Sequence, residues 1–246
     1  MKKVTLLTLT FLIITTMSYS QDLQTDTFKT NNHGDLLVHF VKHASIFFEF
    51  DGKVIHIDPV LRMGDYENYP DADLILITHH HGDHFDLNAI ELLKKEHTKI
   101  IFTQKCKEMS ENLSDVIVMK NSDELDINQL EIEAIPAYNI EHKRDNGDLF
   151  HPEGEGNGYI IKFEDIHVLI AGDTENIPEI KALQDIQIAF LPMNLPYTMT
   201  PEMVADAAKA FKPKILYPYH YGNTNTSILV ELLKNEENIE VRIKNM

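Results

Sequence analysis

The chain has 246 residues, with 39 Asp and Glu against 22 Lys and Arg for a formal net charge of −17, and 43% hydrophobic against 25% charged residues. That length and apolar content suit a sizeable domain with a packed core, and weigh against a disordered chain or one crossing a membrane many times. The acidic balance repels nucleic acid and anionic lipid, so neither is expected as a partner; a small-molecule substrate is, even an anionic one if a metal reverses the field locally.

The first twenty residues differ in kind from the rest. A basic "MKK" precedes the apolar and threonine-rich "VTLLTLTFLIITTM", and "SYS" before Gln21 resembles a cleavage site. This is the order of a secretory signal peptide, so residues 1–20 are expected to be removed on export, leaving a domain over 21–246 in the periplasm or outside the cell. The alternative, an uncleaved anchor, needs about 20 apolar residues, more than this stretch supplies. Cys106 is the single cysteine, so no intrachain disulfide is possible, and its setting between apolar segments reads as a packed thiol.

After a polar lead-in over residues 21–35, "LLVHFVKHASIFFEFDGKVIHIDPV" reads as successive strands with a hairpin turn at Asp51-Gly52. "ADLILIT" is a short apolar run of the kind buried on both faces of a sheet. "LNAIELLKK" has helical spacing with Asp86 as N-cap. Then come a strand "KIIFT", a helix "KEMSENL", a strand "VIVM" and the alternating strand "LEIEAIPAY". Residues 139–158 show no periodicity, and a loop that long is usually functional or mobile. A second hairpin, "YIIKFEDIHVLIAGDT", leads to the helix "IPEIKAL", the strand "IQIAFLP" and a helix opened by Thr200 and Pro201. "KILYPYHYG", the helix "SILVELLK" and an edge strand "IEVRI" complete the chain. Hairpin strands followed by alternating helices and strands occur twice, which predicts two mixed sheets packed face to face with helices outside, and a site at the strand ends.

The polar clusters fall at those ends. "DLILITHHHGDHFD", residues 73–86, places His79, His81, Asp83 and His84 directly after a buried strand. Alternation turns His79 and His81 to one side, and Gly82 permits the bend that presents Asp83 and His84. Imidazole with carboxylate suits zinc, with manganese or iron as alternatives. His80 points away under this geometry and reads as packed or supporting. These are more ligands than one catalytic metal with an open position needs.

"HHHGDH" matches the H-x-H-x-D-H motif of the metallo-β-lactamase superfamily, and "KHASIFFEFDGKVIHIDP", "AGDT", "LPMNLPYTMTPEMVADAAK" and "PKILYPYHYG" follow in the order seen in that family. The chain resembles its members over the whole of residues 21–246, most closely the metal-dependent hydrolases that include ascorbate-phosphate lactonases. The resemblance implies an α/β fold, a four-layer αβ/βα sandwich, with two metals at one edge. His79, His81, Asp83 and His84 match the motif ligands, Asp173 in "IAGDT" the bridging Asp, and His220 in "YPYHYG" the last histidine. The histidine that normally follows the strand "EIEAIPAY" is missing, for Ala137-Tyr138-Asn139 stand there. His151, just before the Gly-rich return to the next strand, is preferred over His142 as its replacement; Asn139 is a weaker ligand or orients one. Asp58 and His43 are candidates to support the ligands, or equally to be structural.

By the same resemblance, one metal is held by His79, His81 and His151, the other by Asp83, His84 and His220, with Asp173 between. The activity implied is hydrolysis of an ester, lactone, amide or phosphodiester bond in a small molecule by metal-activated hydroxide, with Asp83 as both ligand and proton acceptor. A non-catalytic periplasmic metal-binding or sensing protein and an iron-dependent redox enzyme on the same fold are the rival readings. Physiological β-lactam hydrolysis is disfavoured, because the usual third histidine is absent.

Overall fold

Two seven-stranded sheets, wound in the same way, make the body of the molecule. The computed structural model describes residues 23–110 and 113–246; the expected signal peptide, residues 1–20, lies outside them. The first sheet runs in chain order through β1 (Gln24–Lys29), β2 (Asp35–Lys42), β3 (Ser45–Phe50), β4 (Lys53–Ile57), β5 (Ala72–Leu76), β6 (Lys94–Phe102) and β7 (Val116–Val118). Its first four strands pair antiparallel, and β4 to β7 pair parallel. The second sheet repeats the scheme. There β8 (Glu124–Ile127), β9 (Leu130–Ala137), β10 (Gly156–Phe163) and β11 (Ile166–Ile170) are antiparallel, and β11, β12 (Ile188–Pro192), β13 (Ile215–Tyr219) and β14 (Glu240–Val241) parallel.

Parallel neighbours need crossovers, and these put helices on the outer faces. They are α1 (Leu87–Leu93) and α2 (Gln104–Glu108) in the first half, and α3 (Pro178–Lys181), α4 (Pro201–Phe211) and α5 (Thr226–Leu233) in the second. Alternate residues of each strand divide between two apolar layers. Phe40, Phe48, Ile132, Tyr159, Phe190 and Tyr217 are buried between the sheets. Ile75, Ile90, Leu93 and Cys106 seal the first helical layer, and Leu169, Val204, Ala208, Phe211 and Leu229 the second. The two face-to-face mixed sheets expected from the strand pattern, and the αβ/βα sandwich the resemblance implies, are therefore the observed fold.

Local rules explain most boundaries. Asp51 and Gly52 both have positive φ, 48° and 70°, as the turn between β3 and β4 requires. Thr200 accepts from the Met203 N–H at 3.1 Å and caps α4, with Pro201 in its first turn.

Three elements differ from the sequence expectation. The lead-in over 21–35 contains β1, an edge strand whose residues are largely exposed, so no apolar alternation marks it; Phe28 alone packs on the core. The helix expected at "KEMSENL" starts earlier, because Thr103 accepts from the Cys106 N–H at 3.4 Å and caps it, and it ends at Glu108. The helix at "LNAIELLKK" stops at Leu93, since the Thr98 hydroxyl, which accepts from the Lys95 N–H at 2.9 Å and donates to the Ala72 carbonyl at 2.5 Å, draws the following residues into β6.

Candidate metal centre

The carboxyl ends of the parallel strands of both halves meet along one edge, the usual place for a site in sheets of this kind. Thr78 to His84 follow β5, Asp58 follows β4, and His43 lies in the turn from β2 to β3. From the other half, Asp173 follows β11 and His220 follows β13. Gly172, with φ +66°, makes the turn before Asp173, and a Cβ there would stand 2.7 Å from the Asn157 carbonyl. His220 is held at φ +45° by its N–H, which donates to the His43 carbonyl at 2.9 Å and so ties the two halves across the edge.

The side chains converge in two groups joined by a third. His79, His81 and His151 each bring a ring nitrogen to within 4.8 Å of the others; so do His43, His84 and His220 with a carboxylate oxygen of Asp83; and His79 and His84, one from each group, do so with an oxygen of Asp173. Asp173 lies between them: its Oδ2 is 3.2 Å from His151 Nε2, 3.8 Å from His79 Nε2 and 3.5 Å from His220 Nε2, and its Oδ1 is 3.4 Å from His84 Nε2. Asp83 Oδ2 is 3.1 Å from His43 Nε2 and 3.4 Å from His220 Nε2. The His43 and His220 rings pack at 3.7 Å between centroids.

A layer of hydrogen bonds behind these groups fixes which ring nitrogen faces inward. His84 Nδ1 donates to Asp58 Oδ2 at 2.7 Å, and Thr78 donates to both oxygens of Asp58, through its N–H and its hydroxyl, each at 2.7 Å. His84 Nε2 thereby faces Asp173; burial works against a charge on this ring, but Asp173 and Asp58 outweigh it and, in the absence of a metal, raise it well above an ordinary histidine. Asn139 Oδ1 accepts from His151 Nδ1 at 2.7 Å and aims His151 Nε2 the same way. Such outer partners set tautomer and ring orientation at metal sites.

Charge follows from the same packing. Burial and the adjacent His84 push His79 well below an ordinary histidine, and burial and His151 bring His81 down to about 4, so both rings favour the neutral form a ligand requires. Burial opposes a charge on Asp83 and Asp173, yet the surrounding imidazoles outweigh it, His220 foremost in each case, and hold both carboxyls well below their usual range.

The donor set fits a divalent metal. His84 Nε2, Asp173 Oδ1 and both ring nitrogens of His220 are buried without a hydrogen-bond partner among the described residues. Each such atom costs about 1–3 kcal/mol if left unpaired, and a cation coordinated by imidazole and carboxylate would satisfy the three that face the centre, His84 Nε2, His220 Nε2 and Asp173 Oδ1.

All of the residues singled out as ligands from the sequence therefore lie at this edge. His142 does not join them. Its Nδ1 bonds Glu175 Oε1 at 2.6 Å, so it pins the start of the loop. His80 also stays outside both groups and lines the adjoining cleft.

Glu175 is the residue that sequence reasoning passed over. It is fully buried, and its carboxylate accepts from the N–H groups of Ile140, Glu141 and His142 and from Asn139 Nδ2, all between 2.7 and 2.9 Å. It thus organises the start of the loop that returns with His151. Nothing in "GDTENIP" marks it, since an acidic residue two places after a turn Asp reads as surface. The loop itself is partly ordered as a small hairpin, with Lys143 bridged to Leu149 around Asp145-Asn146-Gly147, a turn its Asn-Gly pair could have revealed.

Comparison with known proteins agrees with this geometry. Residues 37–220 match the model of the beta-lactamase superfamily domain. A UPF0173 metal-dependent hydrolase of Methanopyrus kandleri is 29% identical over 189 residues, covering 73% of this chain and 81% of the relative. One from Pyrococcus horikoshii is 31% identical over 196 residues, covering 75% and 84%. Among solved structures, a metal-dependent hydrolase of Parabacteroides distasonis is 46% identical and superposes with a TM-score of 0.85, covering 91% of this chain and 99% of that one.

Proposed function

The chain belongs to the metallo-β-lactamase superfamily and is one of its metal-dependent hydrolases, and from that premise we propose that its edge cluster holds two metal ions, zinc before manganese or iron, for cleavage of an ester, lactone, amide or phosphodiester bond in a small molecule. The observation that carries this reading is the convergence of buried imidazole nitrogens and a carboxylate oxygen, on His84, His220 and Asp173, that have no hydrogen-bond partner among the described residues. His79, His81 and His151 would hold one ion and Asp83, His84 and His220 the other, with Asp173 lying between the two sets. The chemistry such a pair would supply, when bound, is acidification of water from a pKa of about 16 towards 7 and stabilisation of the charge developing on the attacked group.

The chain's own residues do the rest. Asp58 and Asn139 keep His84 and His151 in one tautomer and one orientation. His43 donates to Asp83 Oδ2 and so turns a carboxylate that is partly open to the cleft. Asp83 takes the proton released during attack at a carboxylate oxygen. The neutral His79 and His81 supply neutral donors, so the carboxylates of Asp83 and Asp173 bring the anionic charge that balances the cations. We also place the protein outside the cytoplasm, on the basic, apolar and small-residue order of residues 1–20.

Metal per chain by mass spectrometry, with a panel of esters, lactones and phosphodiesters assayed with and without chelator, tests the proposal. Near two equivalents of metal and chelator-sensitive hydrolysis are expected. A fully loaded protein inert towards every class would make it a binding or sensing protein instead. Iron with oxygen-dependent turnover would make it a redox enzyme.

A further inference from the structure

The hairpin that brings His151 to the centre also builds the mouth above it. Arg144 N–H donates to the Asp148 carbonyl at 2.7 Å and Gly147 N–H to the Arg144 carbonyl at 2.9 Å, which closes the turn. The Asp148 carboxylate accepts from Asn146 Nδ2 at 2.7 Å. The Arg144 guanidinium instead folds back over Phe150, donating to its carbonyl at 3.2 Å with its carbon 5.0 Å from the ring centre. The Phe150 ring meets the half-exposed Tyr197 ring edge-on at 5.1 Å. Arg144, Phe150, Tyr197 and Asn194 line a solvent-open cleft of about 420 Å³ that His81 and Asp83 also line. Arg144 and Phe150 also border a second cleft that reaches His80 and His81.

A cation in that position is unusual for this chain. Acidic residues outnumber basic ones by 39 to 22, yet no carboxylate among the described residues pairs with Arg144. Among the described residues only one of its side-chain nitrogens is engaged, with the Phe150 carbonyl, so the fork retains free donors, and a guanidinium matches carboxylate or phosphate oxygens two at a time, which an ammonium does not. The field of an acidic protein repels anions at long range, so an anionic substrate needs a local counter-charge at the entrance as well as the metals below.

On the hydrolytic reading above, the geometry points to substrates that carry an oxyanion, a carboxylate or a phosphate, beside an apolar body. Arg144 receives the oxyanion, Phe150 and Tyr197 flank the apolar part, and the bond to be cleaved lies toward His81 and Asp83. Arg144 is then a specificity residue and not a ligand.

Calorimetric titration of the metal-loaded protein with benzoate, phenyl phosphate and benzyl alcohol tests this without requiring turnover. Both anions are expected to bind at least about tenfold more tightly than benzyl alcohol, the loss typical of one charge-assisted hydrogen bond. Arg144→Ala should weaken both anions about tenfold, leaving only the part of their advantage that the metals supply, with benzyl alcohol and metal content unchanged, and Arg144→Lys should restore part of the loss. The stronger of the two anions identifies the group recognised. Equal anion affinity in Arg144→Ala and the parent, or no preference for the anions in the parent, overturns the inference. A loss in Arg144→Ala with no hydrolysis of any substrate class would sustain this recognition site and remove the hydrolytic reading instead.

Discussion

Asn139 and His151 grip each other from both sides. Asn139 Oδ1 accepts from the His151 N–H at 2.8 Å and from His151 Nδ1 at 2.7 Å, while the Asn139 N–H donates to the His151 carbonyl at 2.9 Å. Asn139 stands where the resemblance led one to look for a histidine, and it orients one brought in from twelve residues further on. His151→Ala should therefore cost about one equivalent of metal and at least a hundredfold in activity. His142→Ala should keep both metals, since its ring serves Glu175. Bound metal per chain in the two variants, measured side by side, decides between them; loss in His142→Ala alone would reverse the assignment.

Glu175→Gln tests the device behind that grip. The amide cannot accept at both ends, so at least one buried N–H of the 140–142 segment loses its partner, at about 1–3 kcal/mol. Urea unfolding should show that loss. Metal analysis should show weaker retention of one ion, because the segment that sets Asn139, and through it His151, is held less firmly. Unchanged metal affinity would make Glu175 purely structural.

Asp58→Asn removes the charged acceptor behind His84. Loss of such a partner typically weakens metal binding by about 10–100-fold. Competition with a chromophoric chelator measures this directly, and the effect should fall on one ion while the other remains.

Away from the centre, Asp26 on β1 binds Lys244 at 2.5 Å and Arg242 at 3.1 Å, and accepts from the Tyr217 hydroxyl. Burial works against its charge, but Lys244, Tyr217 and Arg242 outweigh it and hold the carboxyl below its ordinary range. A depressed carboxyl contributes stability in full above its unfolded pKa, about 3.9, and loses it as pH falls through the folded value. Asp26→Asn should thus destabilise by about 1.5–3 kcal/mol at pH 7, with the difference from the parent shrinking near pH 3. A difference independent of pH would show that the charge is not the source.

Gly158 lies where β10 crosses behind the centre. A Cβ there would meet the Ala171 carbonyl at 2.8 Å and the Ile170 carbonyl at 3.0 Å, both backbone atoms that cannot yield cheaply. Gly158→Ala should cost about 1–3 kcal/mol and displace the turn bearing Asp173. Thermal unfolding with metal titration checks both parts.

The legible parts of this chain were those in which local chemistry and global fold agree. "HHHGDH" at the end of a continuous apolar run combined a ligand pattern with a strand pattern, and the repeated order of hairpins and crossovers gave the two sheets. β1 was not legible, because an exposed edge strand needs no alternation. Nor was Glu175, whose five partners come from residues 33 to 36 positions away, which no window of sequence relates to it. His151 was visible only as a choice, since its orientation depends on Asn139 across a hairpin.

The two halves of the chain are wound alike, and the centre takes donors from each: His79, His81, Asp83 and His84 from one, His151, Asp173 and His220 from the other. Any ion bound there is also a clasp between lobes. Its affinity enters the free energy that keeps them together, about 2.7 kcal/mol when free metal stands a hundredfold above its dissociation constant. Metal starvation would then loosen the seam before either lobe's own apolar layer, exposing the edge at His43 and His220 to proteases first. The supply of metal in the surroundings would set the lifetime of the protein as well as its turnover.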